Sequence, residues 1–372
     1  MGTTPGPAQA TVDAALATLT ATGAGGSVAP VVAAAPGRVN IIGEHTDYTG
    51  GLCLPAAIDR YVVCAAEPGT GTGVFRFGSV GHEPGGAWTN LAAAVAAELE
   101  TLGLAPDSAI AGFAGDVPEG AGLSSSAAFE VACGLALTAV AGHRPDPPEL
   151  AAACRRAEAA GLGVPCGPMD QIASCLGVAG GAILLDCRSL ATRPVMLPAG
   201  TALVVADSGV HRRLAGSGYA ERVRECGEAT TQLGVASLRD VAVADLPAAT
   251  AALGPTPARR VRHVVTENAR VLEAVAICES GGSATDLGML VDASHESLAL
   301  DFGVSLPEID ALVAACRSVR GVCGARLVGA GFGGSVLVVV DAEAANPSEV
   351  ADSLPAPTVV VHPVAGAEIL HV

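Results

Sequence analysis

Four short segments of this 372-residue chain gather side chains that could do chemistry. The first, APGRVNIIGEHTDYTGG from Ala35 to Gly51, packs Arg38, Glu44, His45 and Asp47 into ten residues. Carboxylates accept hydroxyl hydrogen bonds while histidine and arginine donate them, so this loop can hold a polyhydroxylated ligand. A solvated turn with a local salt bridge fits the residues equally well. The second, DVPEGAGLSSSAA from Asp116 to Ala128, is a glycine-rich loop opening a helix. Unpaired N–H groups and the positive end of the helix dipole favour phosphate there, and three serines add hydroxyls for phosphate oxygens or Mg²⁺. An ordinary serine-capped helix is the competing reading. The third, GVPCGPMDQ from Gly163 to Gln171, presents Asp170 either as a helix cap or as a carboxylate able to orient or accept a hydroxyl proton. Glu158, upstream on the preceding helix, either ligates Mg²⁺ or sits on a solvated face. The fourth, VGAGFGGS from Val328 to Ser335, reads as a tight hairpin, and no helix follows it as a dinucleotide fingerprint requires.

Composition narrows the chemistry. The chain holds 37 acidic residues against 20 cations, a formal charge of −17, and every cation is an arginine. Without lysine there is no lysine-dependent phosphate loop and no lysine Schiff base, and the acidic excess speaks against nucleic acid and anionic membranes. Half the residues are apolar but mostly small. The longest uncharged stretch, Ala14 to Gly37, is spoiled as a membrane span by threonines, glycines and prolines. No basic region precedes it, so the expectation is a soluble, cytoplasmic chain without signal peptide. Eleven cysteines without paired spacing read as reduced, buried thiols rather than a zinc site.

The elements that must position these segments follow from apolar patterning. Strands are expected at Val31–Ala35, Ala56–Glu67, Val74–Phe77, Ala109–Ala114, Ala182–Asp186 and Ala202–Asp207. Later strands fall at Ala325–Leu327, Ser335–Val340 and, as the last, Thr358–Pro363. Helices are expected at Leu91–Leu102, Ser124–Ala141, Glu149–Ala160 with Gly161 as its stop, Tyr219–Leu233, Arg260–Glu279, Ala284–Leu298 and Pro307–Val319. The residues before Val31 read as a polar, Gly/Ala-rich lead-in. A domain boundary is placed between residues 197 and 198.

Taken together and in this order, the segments resemble the galactokinases of the GHMP small-molecule kinase superfamily. GRVNIIGEHTDYTGG, PEGAGLSSSAA, CGPMDQ and VGAGFGGS carry the resemblance, joined by HRRLAGSGYAERVREC from His211 and LGMLVDASHESLALDFGVSLPEIDALV from Leu287. The resemblance implies an α+β fold of two domains, 1–197 and 198–372, with the active site in the cleft between them. It implies ATP-dependent phosphorylation of the anomeric hydroxyl of galactose, Mg²⁺ as cofactor, and a monomer whose partners are galactose and ATP. Glu44, His45, Thr46 and Asp47 would hold sugar hydroxyls, with Gly167 and Tyr219 completing the pocket. Asp170 would sit beside the attacking hydroxyl, and Arg38 between it and the transferred phosphoryl group. Gly120, Ala121, Gly122, Leu123, Ser124, Ser125 and Ser126 would wrap the nucleotide phosphates, while Ser126 and Glu158 serve Mg²⁺. Ser79, Trp88 and Asn90 would approach the adenosine. Kinases of arabinose or N-acetylgalactosamine, and a catalytically dead sugar and ATP sensor, are the alternatives.

Overall fold

The computed structural model describes residues 6–26, 28–83, 85–162, 166–210 and 215–371. Gly163–Pro165 of the third segment and His211–Leu214 lie outside the described residues.

Two sheets carry the two halves. The first half supplies β1 (Val31–Asn40), β2 (Leu52–Cys53), β3 (Pro55–Pro68), β4 (Val74–Ser79), β5 (Ser108–Gly115), β6 (Gly181–Asp186) and β7 (Thr192–Met196). The second supplies β8 (Thr201–Asp207), β9 (Val322–Val328), β10 (Ser335–Asp341), β11 (Thr358–Val361) and β12 (Glu368–Leu370). The helices are α1 (Gln9–Ala21), α2 (Ala87–Thr101), α3 (Ser125–Val140), α4 (Pro147–Leu162), α5 (Met169–Leu176) and α6 (Ala215–Leu233). They continue with α7 (Leu246–Ala251), α8 (Pro255–Glu279), α9 (Ala284–Ser297), α10 (Pro307–Arg317) and α11 (Pro347–Ser353).

The five-stranded sheet runs β12-β1-β3-β5-β4, a four-stranded sheet runs β11-β8-β10-β9, and β2, β6 and β7 form a third. β1 is apolar on both pleat faces, which suits a strand covered on both sides. Val32 and Ala34 pack with Val12, Ala15 and Leu19 of α1, while Ala33 and Ala35 face the cluster containing α2 and α3. The second sheet is shared in the same way. Val336 and Val338 join the cluster of Val261, Val264, Phe302 and Val313, whereas Leu337 and Val339 face Leu287 and Val291 of α9 in the main core. The cysteines are free thiols, most of them buried.

Several expectations change. The lead-in contains α1, whose apolar residues Val12, Ala15 and Leu19 recur at helical spacing and dock on β5. β1 does not stop at Ala35. A register shift between Pro36 and Arg38 lets the strand continue to Asn40, and proline tolerates such a position because it has no ladder N–H to lose. Gly161 lies inside α4, which runs to Leu162. β7 is an added strand at the expected boundary. Thr358–Val361 is not the last strand either, because residues 368–370 return to the first sheet and pair with Val32–Ala34. On the way back, Ala367 N–H donates to Ser174 O at 2.8 Å and Gly366 N–H to Gly177 O at 3.0 Å. Ser174 Oγ in turn donates to Pro36 O at 2.7 Å.

Candidate active site

The bulge in β1 turns Arg38 into the molecule, where it is only 4% exposed. Its Nε and Nη2 donate to Asp170 Oδ1 and Oδ2, both at 2.8 Å, and Nη1 donates to Gly122 O at 2.6 Å. Such a bidentate pair fixes both planes. Burial alone would lower the guanidinium pKa, yet Asp170, Glu44 and Asp47 together raise it, so Arg38 is a permanent positive charge. Asp170 lies in the first turn of α5 with Pro168 at the cap position, so it is a partner of Arg38 and not a helix cap.

The glycine-rich loop arrives beside this pair. Ser124 precedes α3 in a left-handed conformation, φ 59°, and makes no side-chain cap. Its hydroxyl donates to Asp170 Oδ2 instead. The serine-capped reading therefore fails, and the first-turn N–H groups of a 16-residue helix have no side-chain cap. Farther into the same turn, Ser126 Oγ donates to Glu158 Oε1 at 3.2 Å. Gln171 Nε2 bridges Glu158 Oε2 and Glu130 Oε2, each at 2.9 Å. Burial, reinforced by Glu158, pushes the Glu130 carboxyl well above the usual carboxylate range.

Opposite stands the loop between β1 and β2. Glu44 Oε1 accepts from Gly329 N–H at 2.8 Å and from Arg326 Nη2 at 3.2 Å, so the glycine hairpin between β9 and β10 supports this carboxylate. His45 Nδ1 meets Tyr48 Oη at 3.0 Å, and its ring lies 4.7 Å from Phe302 and 5.9 Å from Tyr219. Asp47 sits against Gly167 so closely that a Cβ there would fall 1.7 Å from Asp47 Oδ2; glycine is what lets the two backbones meet. Gly167 N–H also points at the Tyr219 hydroxyl, whose pKa burial holds well above its ordinary value.

Asp47 carries a pH dependence. Burial first, then repulsion from Asp170 and Glu44, raises its pKa to about 7 against the opposing N–H groups of Tyr48 and Asp47. The folded protein thus binds this proton more tightly than the unfolded chain, and Asp47 costs stability progressively between the ordinary carboxylate range and pH 7. A hydroxyl acceptor must be ionised to accept on both oxygens, so ligand affinity has the opposite trend. For a polyhydroxylated ligand held by Asp47, the expected result is a KM that falls about tenfold from pH 6 to pH 8, and that becomes flat in Asp47→Asn. A parental KM independent of pH over that range would show that Asp47 stays ionised throughout.

These groups line one cavity of about 280 Å³. Arg38, Glu44, His45, Asp47, Gly120, Gly122, Leu123, Ser124, Ser125, Ser126, Glu158, Gly167, Asp170 and Tyr219 all border it. Thr46 does not: its hydroxyl donates within the loop, to Gly43 O and Leu52 O, both at 2.7 Å. Ala121 is buried beneath the phosphate-type loop. Ser79 and Trp88 border a second cavity of about 740 Å³ with Phe113 and Phe129, which shares Gly120, Ser125 and Ser126 with the first. Asn90 is exposed and outside that lining. Sequence reasoning missed Arg326, Gln171, Glu130, His263 and Glu267. The available signal was a polar residue on an apolar stripe: His263 and Glu267 stand among Val261, Val264, Val265 and Val271 of α8.

Comparison with known proteins identifies the family. A family model described as the galactokinase galactose-binding signature matches residues 24–68, the GHMP kinases N-terminal domain matches 90–178, and the GHMP kinases C-terminal domain matches 273–356. The chain is 43% identical to the galactokinase of Roseiflexus sp. strain RS-1 over 84% of this chain and 83% of that one. It is 41% identical to the galactokinase of Chloroflexus aggregans, over 84% of each chain. Its fold superposes on the crystal structure of Lactococcus lactis galactokinase complexed with galactose with a TM-score of 0.86 at 29% identity, covering 92% and 95% of the two chains. Leishmania major mevalonate kinase shares the fold, with a TM-score of 0.65 at 20% identity over 91% and 98%. Among the described residues no helix is long and apolar enough to cross a membrane. The glycine-rich loop, the arginine–aspartate pair and the acidic pocket opposite them thus lie in a two-domain α+β kinase fold, and the chain belongs to the galactokinase family.

Proposed function

We propose that this chain transfers the γ-phosphoryl group of ATP to the anomeric hydroxyl of galactose, giving galactose 1-phosphate and ADP. The observation that carries the reading is the juxtaposition, in one cavity, of an uncapped helix start and a polyol-type acidic pocket with the Arg38–Asp170 pair between them.

Transfer of a phosphoryl group needs in-line positioning and charge neutralisation more than covalent help. Each residue has a part in that. Glu44, His45 and Asp47 hold the sugar, with Gly167 and Tyr219 closing the pocket. The hydroxyl oxygen attacks phosphorus as the bond to the bridging oxygen of ADP breaks, and the hydroxyl proton leaves toward Asp170. A carboxylate offers about four acceptor sites; Arg38 and Ser124 take three of Asp170's, and one remains for the hydroxyl. Arg38 has five N–H groups by its chemistry, three of them used on Asp170 and Gly122. The other two supply positive charge for the transferred group. N–H groups at the start of α3 receive the phosphates.

Ser126 and Glu158 fit Mg²⁺ by their donor set: a hydroxyl and a carboxylate at one end of the phosphate loop, a pair that waters and phosphate oxygens complete. When bound, Mg²⁺ supplies neutralisation of the phosphate charge. The aromatic cavity of Trp88, Phe113 and Phe129 suits a purine, and it shares Ser125 and Ser126 with the cavity that Asp170 borders.

The test is a coupled ADP-release assay over a panel of sugars. Galactose is expected to give the highest kcat/KM, with arabinose and N-acetylgalactosamine below it. Preference for an acyclic acid or amino alcohol, or tight galactose binding without ADP release, would overturn the assignment.

A further inference from the structure

The sugar loop is held by the other half of the molecule. His263, Glu267 and Asn268 lie at spacings of four and five on one face of α8. Each makes a hydrogen bond to a different backbone group of the loop. His263 Nε2 meets Glu44 O at 3.0 Å, Glu267 Oε1 accepts from Gly43 N–H at 2.9 Å, and Asn268 Oδ1 accepts from Leu52 N–H at 2.7 Å. Arg326 of β9, fully buried, adds a fourth hold. Its Nε donates to Ile41 O at 2.9 Å, and Nη2 reaches Asn40 O and Glu44 Oε1.

These side chains are themselves fixed. A carbonyl can only accept, so His263 carries its proton on Nε2, and Nδ1 then accepts from Ser297 Oγ at 2.9 Å. Burial lowers the His263 pKa to about 4, in keeping with a neutral ring. Glu267 also accepts from Ser294 Oγ and Arg270 Nε. Loop and helix touch directly, since a Cβ at Gly51 would lie 2.6 Å from Asn268 Oδ1. A turn between two strands leaves backbone groups that no ladder satisfies, and α8 satisfies them in a single geometry. The hold is one-sided: among the described residues, no hydrogen bond from the second half reaches residues 116–126.

We infer that His263, Glu267, Asn268 and Arg326 are positioning residues for sugar recognition, holding the loop from Asn40 to Leu52, and with it Glu44, His45 and Asp47, in binding geometry from across the cleft. The inference rests on the reading of that pocket as the galactose site. Its consequence is that α8 sets affinity for the sugar while leaving the nucleotide untouched, although none of its residues lines the cavity.

The experiment compares the parent with His263→Leu, His263→Gln and Asn268→Leu. Galactose Kd is read by calorimetry without nucleotide, KM for galactose and ATP by ADP release, and Tm by thermal melting. Both leucine variants are expected to weaken galactose about tenfold or more, with the ATP KM within about twofold of the parent. Glutamine places an N–H near the position of Nε2 and is expected to bring galactose Kd back to within about threefold. If His263→Leu does not fold, His263→Asn, too short to reach Glu44 O, carries the same expectation. A folded variant lacking the hold but with parental galactose Kd overturns the inference, as does equal loss for galactose and ATP. A parent that binds galactose without turnover refutes the proposed reaction instead, and the calorimetric comparison still decides the role of α8.

Discussion

Replacing Asp170 with asparagine is expected to lower kcat about 10²- to 10⁴-fold while galactose Kd stays near the parental value. The amide keeps one acceptor oxygen, so it can still orient a hydroxyl, but it cannot take up the proton. Its NH₂ also faces the Arg38 N–H groups, which removes one arm of the bidentate pair. Comparing the two contributions is possible because Glu44, His45 and Asp47, the residues proposed to hold the sugar, lie on a separate loop. Single-turnover rates with saturating galactose and ATP, alongside calorimetric galactose binding, measure the split. A kcat within about threefold of the parent would remove Asp170 from the chemistry.

Arg38→Ala should cost kcat about 10²- to 10³-fold, the scale of losing one preorganised donor at developing charge. Here one side chain joins three parts: the carboxylate of Asp170, the carbonyl of Gly122 in the phosphate loop, and the space between them. Arg38→Lys is not expected to rescue, because an ammonium cannot span both oxygens of Asp170 and still reach Gly122. A change confined to KM would mean that Arg38 binds ground state and transition state alike. In a chain that uses no lysine anywhere, arginine geometry carries the cationic part of the site.

Much of this site was legible because its segments are local. A loop with four charged residues in an otherwise sparsely charged chain, or three serines after glycines at a helix start, declares its chemistry in consecutive residues. Asp170 was harder, since capping and catalysis ask for the same residue type at a helix start; only its pairing with Arg38, turned inward by a bulge at Pro36, sets it apart from a cap. Arg326 is silent in the sequence, because its partners are the carbonyls of Asn40 and Ile41 and the carboxylate of Glu44, which no pattern around residue 326 encodes. The same holds for His263, whose acceptor belongs to Glu44. The fold shows an equal division. Apolar runs gave most strands and helices to within a few residues, whereas α1 was lost among small residues. β12 is too short to register, and pairing with β1 is what makes it a strand.

That returning strand also imposes an order of events. Residues 366–370 bond to both carriers of the central pair, α5 with Asp170 and β1 with Arg38. All the residues between β1 and β12 must be synthesised before that strand emerges. At ribosomal rates of about 5–20 residues per second, β1 waits on the order of tens of seconds with one edge open. During that interval it is a template for strands of other chains. The strand that carries Arg38 therefore completes its pairing late, and the growing chain stays exposed to misassembly there until residues 368–370 arrive.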